Sequence, residues 1–314
     1  MTDSATNHTN TVASAGQRIR ERLRSALKPA WLLLAATVAT QVRWPLHWDR
    51  FAISHAVVAL GAATMLAHAA AHSRPRSAAT LLAAGLVAWL VETVGVATGW
   101  PFGRYRYADQ VTYTMCPSTR LCSQVAEATH AAITLAGVPV IVLLAWFMMG
   151  YATHIAARRL ARAPWARWAW ATWMLAAWDL YLDPQFILDP HLRQGWWLWS
   201  DPSPHLPGVP GIPLTNYLGW LVAAAGIQAV LHLTAPPAEA VEDCGWDPPT
   251  VFVLWTWIGG AVAVAWFVEQ PAAAAWGALA GAPASLLLIR NRLQAPRLGR
   301  GRREHSVPPP RRGR

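Results

Sequence analysis

Apolar residues fall along this chain in runs of membrane-crossing length, separated by short polar or proline-rich breaks. A helix needs roughly 17–25 apolar residues to cross the hydrocarbon core of a bilayer. On that template the pattern predicts eight spans. They run over Pro29 to Pro45, Phe51 to His72, Ser77 to Gly99, Glu127 to Ala152, Trp165 to Leu182, Ile212 to Leu233, Thr250 to Val268 and Pro271 to Ile289. The first is short and interrupted by Gln41 and Arg43. The predicted fold class is all-α, a polytopic transmembrane bundle. Flanking it are a basic, largely disordered leader over residues 1–28 and a disordered Arg/Pro-rich tail over residues 291–314, which leaves 29–290 as the membrane domain.

Composition supports that reading. Of 314 residues, 54% are hydrophobic and only 13% charged, where a soluble domain carries about 25% charged residues. Too little polar surface remains to cover a water-soluble globule. Disulfide-rich secreted scaffolds, collagen-like repeats and wholly disordered chains are excluded by the same figures.

The net charge of +10 concentrates in particular breaks. The leader, the breaks after the second and fourth spans, and the stretch from Arg290 onward hold twenty of the 26 basic residues. The positive-inside rule then predicts a multi-pass cell-membrane protein with both termini cytoplasmic. The acidic stretch from Glu239 to Asp247 breaks the pattern, but acids weigh little in the rule. A basic tail here anchors to anionic lipid and calls for no nucleic acid. Arginine outnumbers lysine by 25 to 1, which points to a GC-rich bacterial genome.

Two breaks on the opposite side are long, Trp100 to Ala126 and Asp183 to Gly211, and carry Tyr105, Tyr107, Tyr113, Trp196, Trp197 and Trp199. Most of these aromatics read as an interfacial belt. The acids nearby carry more information. Glu92 lies inside the third span, where a carboxyl is costly and must face the bundle interior. Asp179 and Asp183 are four apart and share a helix face. Pro184 disfavours helix at Asp183, so the helix is expected to stop there. Both aspartates then occupy the last turn, where the helix dipole, the apolar surroundings and the second acid all favour the neutral carboxylic form. Structural roles stay open: an interhelical hydrogen bond for Glu92, pairing with Arg104 or Arg193 for the aspartates.

Other features carry less. Gly95 and Gly99 read as a close helix-packing ridge. His68 and His72 form a single H-x-x-x-H, too little for a membrane di-iron centre, so no metal and no cofactor is expected. Cys116 and Cys122 share one outer break, where a disulfide is permitted.

Three ordered blocks carry a family likeness. Residues Glu92 to Tyr107 read E-T-V-G-V-A-T-G-W-P-F-G-R-Y-R-Y; Trp178 to Pro184 read W-D-L-Y-L-D-P, followed by Gly195-Trp196-Trp197-Leu198-Trp199; Gly208 to Trp220 read G-V-P-G-I-P-L-T-N-Y-L-G-W. Together they resemble the integral-membrane carotenoid hydratases, a family that includes bisanhydrobacterioruberin hydratase and the gamma-carotene 1'-hydroxylases. The resemblance implies cofactor-independent addition of water to the terminal (1,2) double bond of an acyclic carotenoid, giving a tertiary alcohol. It also implies an acyclic carotenoid and membrane lipid as partners, with other carotenoid-biosynthesis enzymes alongside.

Alkene hydration needs a neutral acid aimed at the less substituted carbon, a base for water, and electron-rich walls for the tertiary cation. Glu92, Asp179 and Asp183 are the candidate catalytic acids. Asp183, expected nearest the aqueous edge, suits the base that orients water, with Asp179 or Glu92 as proton donor. Tyr105, Trp178, Tyr181 and Trp197 are candidates for cation–π walls, and Asn216 for holding the water or an acid. Two other classes compete. An intramembrane prenyltransferase would use Asp179-x-x-x-Asp183 for magnesium, but it wants a second acidic motif and basic residues for diphosphate. A lipid transporter or scaffold would use the buried acids as proton relays.

Overall fold

The computed structural model describes residues 25–46, 50–72, 74–108, 111–114, 127–187, 196–235 and 246–294. Within them lie eight α-helices: α1 (Lys28–Arg43), α2 (Arg50–His72), α3 (Arg74–Thr98), α4 (Val140–Ala157), α5 (Pro164–Phe186), α6 (Leu214–Thr234), α7 (Pro248–Val262) and α8 (Pro271–Gln294). Short strands interleave them: β1 (Tyr105–Tyr107), β2 (Val111–Thr114), β3 (Glu127–His130), β4 (Thr134–Leu135), β5 (Val138–Pro139) and β6 (Trp197–Trp199). The molecule is an all-α membrane bundle with small β caps. Five helices have proline in the first turn, at Pro29, Pro75, Pro164, Pro248 and Pro271. Its missing N–H would be unpaired there anyway, and its fixed φ already suits the helix.

Among the described residues, six helices are long and apolar enough to cross a membrane: α2, α3, α4, α6, α7 with the π-turn Ala263–Phe267 that prolongs it, and α8. Helix α4 is the centre of the bundle. It packs against α2, α3, α5, α6 and α7, and every residue from Trp146 to Ala157 is buried. Helix α5 falls outside the six, being less apolar, and packs against α4, α6 and α8. Those neighbours, rather than lipid, surround most of its second half, which is how it tolerates two acids.

Three expectations need correction. The fourth helix begins at Val140, not Glu127, because Glu127 to Pro139 is strand: β3 pairs with β2, and β4 turns back on β5. The turn is Ala136-Gly137, with φ of +52° and +79°, a left-handed pair that no helix accommodates. The fifth helix does not stop at Asp183. It continues through Pro184 to Phe186, and Ile187 N–H still donates to the Asp183 carbonyl at 3.0 Å. In a final turn the proline removes only one backbone bond, so the helix tolerates it. Asp183 is therefore 3% exposed and not at an aqueous edge. The third correction concerns Gly95. A Cβ there would meet Phe102 at 2.8 Å and the Tyr105 hydroxyl at 2.9 Å, so Gly95 admits the chain's own next loop and not a neighbouring helix. Gly99, at φ +80°, ends α3.

The charge pattern has a structural counterpart. Arg159, just after α4, pairs with Asp247, the residue before α7, at 2.6 Å. The arginine-rich break and the end of the acidic stretch thus meet on one face of the bundle. Cys116, Cys122, Tyr113's side chain and Arg193, with residues 1–24 of the leader and 295–314 of the tail, lie outside the described residues.

Candidate active site

The site is built where the two long breaks meet. Strand β1 pairs antiparallel with β6, aligning Tyr105 with Trp199 and Tyr107 with Trp197. Flanking bonds from Ala108 N–H to the Trp196 carbonyl (2.7 Å) and from Ser200 N–H to the Arg104 carbonyl (2.9 Å) extend the ladder. Side chains alternate across a strand, so Tyr105 and Tyr107 face inward together while Arg106 is exposed. The partner strand buries Trp197 and Trp199 in the same way. These tryptophans, with Trp196, are 5–8% exposed. They form the roof of a cavity and not an interfacial belt.

Beneath the roof lies Glu92, buried on α3. Its Oε2 accepts from the Tyr105 hydroxyl at 2.6 Å and the Tyr107 hydroxyl at 2.9 Å, and its Oε1 from the Trp146 indole N–H at 2.8 Å. Trp146 belongs to α4 and stacks on Trp220 of α6, ring centres 4.1 Å apart. Burial, then the charge of the Glu92 carboxylate, push both β1 phenols up from their ordinary range. Each therefore stays protonated and available as a donor.

On the opposite wall, Asp179 and Asp183 present one face of α5 to α6, as the four-residue spacing requires. The Asn216 amide, in the first turn of α6, donates to Asp179 Oδ2 at 2.7 Å and to Asp183 Oδ2 at 2.5 Å. Asp179 is fully buried and its Oδ1 has no hydrogen-bond partner. Among the described residues, none of the three acids meets an arginine or lysine. Arg104 is exposed and lies away from them.

One cavity brings most of these groups together. Glu92, Tyr105, Trp178, Asp183, Trp197 and Asn216 all line it. Asp179 does not; it stands behind Asn216. Tyr181 does not either. It projects from another face of α5 against Gly260 and Gly277. Sequence reasoning missed Trp146, a single tryptophan within an apolar run, and quoted Trp220 only as the last residue of a family block. It quoted Tyr107 without assigning it a role, although the Y-x-Y and W-x-W alternation marked two strands with one aromatic face each. The histidines lie elsewhere: His68 Nδ1 and the Tyr151 hydroxyl share a hydrogen bond at 3.1 Å, and His72 Nδ1 donates to the His68 carbonyl at 2.8 Å.

No curated protein and no solved structure matches the chain. A family profile described as carotenoid biosynthesis protein does match, over residues 53–119 and 128–283. The matched segments take in Glu92, both aspartates, Asn216 and every strand of the roof, and they make up well over half of the chain, which therefore belongs to the carotenoid biosynthesis protein family.

Proposed function

We propose that this protein is a carotenoid 1,2-hydratase, a cofactor-independent hydro-lyase that adds water to the terminal double bond of an acyclic carotenoid. One observation carries the reading: Glu92 and Asp183 open onto the same aromatic-walled, largely apolar cavity, and among the described residues no cation neutralises either. Two buried carboxyls bridged by one amide cannot both carry charge cheaply, so the Asp179–Asp183 pair holds a proton. Asp183, the member that reaches the cavity, is its donor. Glu92, met by three donors, is held as the anion.

The steps balance without any other reactant. The alkene π pair takes the Asp183 proton at the less substituted carbon, leaving a cation on the tertiary carbon. Facing rings such as Trp178, Tyr105 and Trp197 lower the cost of that charge. Water attacks the tertiary carbon as its own proton passes to Glu92. A proton then returns from Glu92 to Asp183 through the new hydroxyl, and the product is a tertiary alcohol. These roles reverse the sequence-based assignment of Asp183 as base, since its burial and its bond to Asn216 tie it to the protonated pair.

In this reading the protein is a multi-pass cell-membrane enzyme with both termini cytoplasmic and the acids near the outer face. The test is mass spectrometry of pigments from a host making acyclic carotenoids, with and without the protein, in isotopically labelled water and under labelled dioxygen. The expected product is heavier by one water, with its oxygen from water. Oxygen drawn from dioxygen, or no new pigment, would overturn the proposal.

A further inference from the structure

The acid cavity has a neighbour. A cleft with about 1430 Å³ of atom-free space runs between α1, α2, α5 and α7. It shares five lining residues with the acid cavity: Ser54 and Val58 of α2, and Trp178, Leu182 and Phe186 of α5. Residues four apart fall on one helix face, so each set forms a row along the boundary between the two spaces. The α5 row extends over roughly 12 Å at 1.5 Å per residue.

The cleft is suited to an apolar chain. Among its polar lining groups, Gln41 Oε1 accepts from the Trp255 indole at 2.8 Å, Ser54 Oγ from the Trp44 indole at 2.8 Å, and Gln185 Nε2 donates to the Tyr181 carbonyl at 2.5 Å. Those bonds are closed within the protein, and the lining that faces the space is mostly hydrocarbon. At its outer side stand Val42, Leu46, Ile258 and Val262, each between 51% and 61% exposed. In a bilayer those surfaces meet lipid, so an apolar molecule reaches the cleft from the membrane without crossing water. The π-turn that follows α7 borders the cleft, with Ala263 and Phe267 in its lining. Such turns recur where helices serve a site.

We propose that this cleft is a second binding subsite and holds the polyene of the molecule whose end group is hydrated next door. The chain passes between the Ser54–Val58 row and the Trp178–Leu182–Phe186 row. The subsite rests on the hydratase reading for the identity of its occupant. It adds a specificity claim: the cleft selects for long acyclic chains, and the acid cavity alone takes any short isoprenoid with the same end group.

The experiment uses the full-length protein in lipid nanodiscs with two probes, lycopene as the long chain and citronellol as a short isoprenoid bearing the same terminal double bond. A photocrosslinking phenylalanine analogue replaces the exposed Ile258. After irradiation, an adduct with lycopene and none with citronellol is the expected result. In parallel, Val58→Trp narrows the junction and should lower the lycopene-to-citronellol turnover ratio at least tenfold. The adduct is read independently of turnover, so a Val58→Trp protein that fails to fold leaves the crosslink to decide. Lycopene hydrated without an adduct at Ile258 overturns the subsite. A lycopene adduct with no hydration of either probe keeps the subsite and removes the hydratase reading.

Discussion

The bundle buries aspartates at both ends, and the two ends treat them in opposite ways. Asp247 precedes α7. It caps that helix through Thr250 N–H at 2.8 Å, accepts from the Thr250 hydroxyl at 3.0 Å and pairs with Arg159. A helix N-terminus favours negative charge, a cation neutralises it, and every bond serves the fold. Asp183 sits in the last turn of α5, where the dipole opposes a carboxylate. Among the described residues it has no cation, and it has a second carboxyl one turn away and a cavity in front of it. Helix α4 spans the gap between the two ends, with Trp146 and Arg159 about 20 Å apart along its axis. A buried acid that a cation neutralises, and whose every bond serves the fold, is structural. One whose surroundings leave charge unsupported beside a cavity is, on the proposed function, placed for chemistry.

That contrast predicts opposite responses to similar substitutions. Asp183→Asn should keep the fold, since the amide is isosteric and carries no charge to bury. Its turnover should fall on the order of 10³-fold, the scale of losing a general acid. Extraction yield and thermal melting compared with carotenoid turnover check both halves. If turnover survives at wild-type level with normal yield, the assignment of Asp183 is wrong. Asp247→Ala should do the reverse. It strands Arg159 and uncaps α7, a loss of about 3 kcal/mol for a broken buried pair. Thermal unfolding in detergent should show it, while the fraction that remains folded turns over normally.

The fold was largely legible in the sequence because lipid and helix impose one period over long runs. Eight segments were read, and eight helices stand near those positions. The failures fall where short-range signals competed. Glu127 to Pro139 is apolar enough to extend a span, yet Ala136-Gly137 sets a strand turn. Pro184 looked like a stop, but tertiary packing carried α5 one more turn. The site was legible only in part. Spacing put Asp179 and Asp183 on one face, and the cost of burial singled out Glu92. Nothing local to either break could show that Tyr105-x-Tyr107 would pair with Trp197-x-Trp199, some ninety residues away. That pairing brings Glu92's donors into the cavity and turns belt tryptophans into a roof.

A smaller effect sharpens the account of Glu92. Trp146→Phe keeps most of the stack on Trp220 and the cavity wall but removes one of the three donors to the carboxylate. A hydrogen bond to a charged group is worth roughly 1.5 kcal/mol at the lower end of its range, so turnover should drop about tenfold with little change in melting. Loss confined to stability would make Trp146 a packing residue and weaken the view of Glu92 as a held anion.

The smallest effect belongs to Tyr181, which separates the reading of the sequence from that of the structure. Its place between two aspartates made it a candidate wall for the cation. In the structure its ring fills the notch beside Gly260 and Gly277 and meets Trp257 at 5.4 Å, and its buried hydroxyl has no hydrogen-bond partner. Removing an unpaired buried hydroxyl relieves a desolvation cost and breaks no bond. Tyr181→Phe should therefore leave turnover unchanged and hold or slightly raise the melting temperature, by roughly 1 kcal/mol at most. Tyr105→Phe, which deletes a 2.6 Å bond to Glu92, should in the same assay cost activity. If the two substitutions cost activity equally, the ring in the notch touches the reacting end group, and the boundary drawn between the acid cavity and its neighbour along α5 is misplaced.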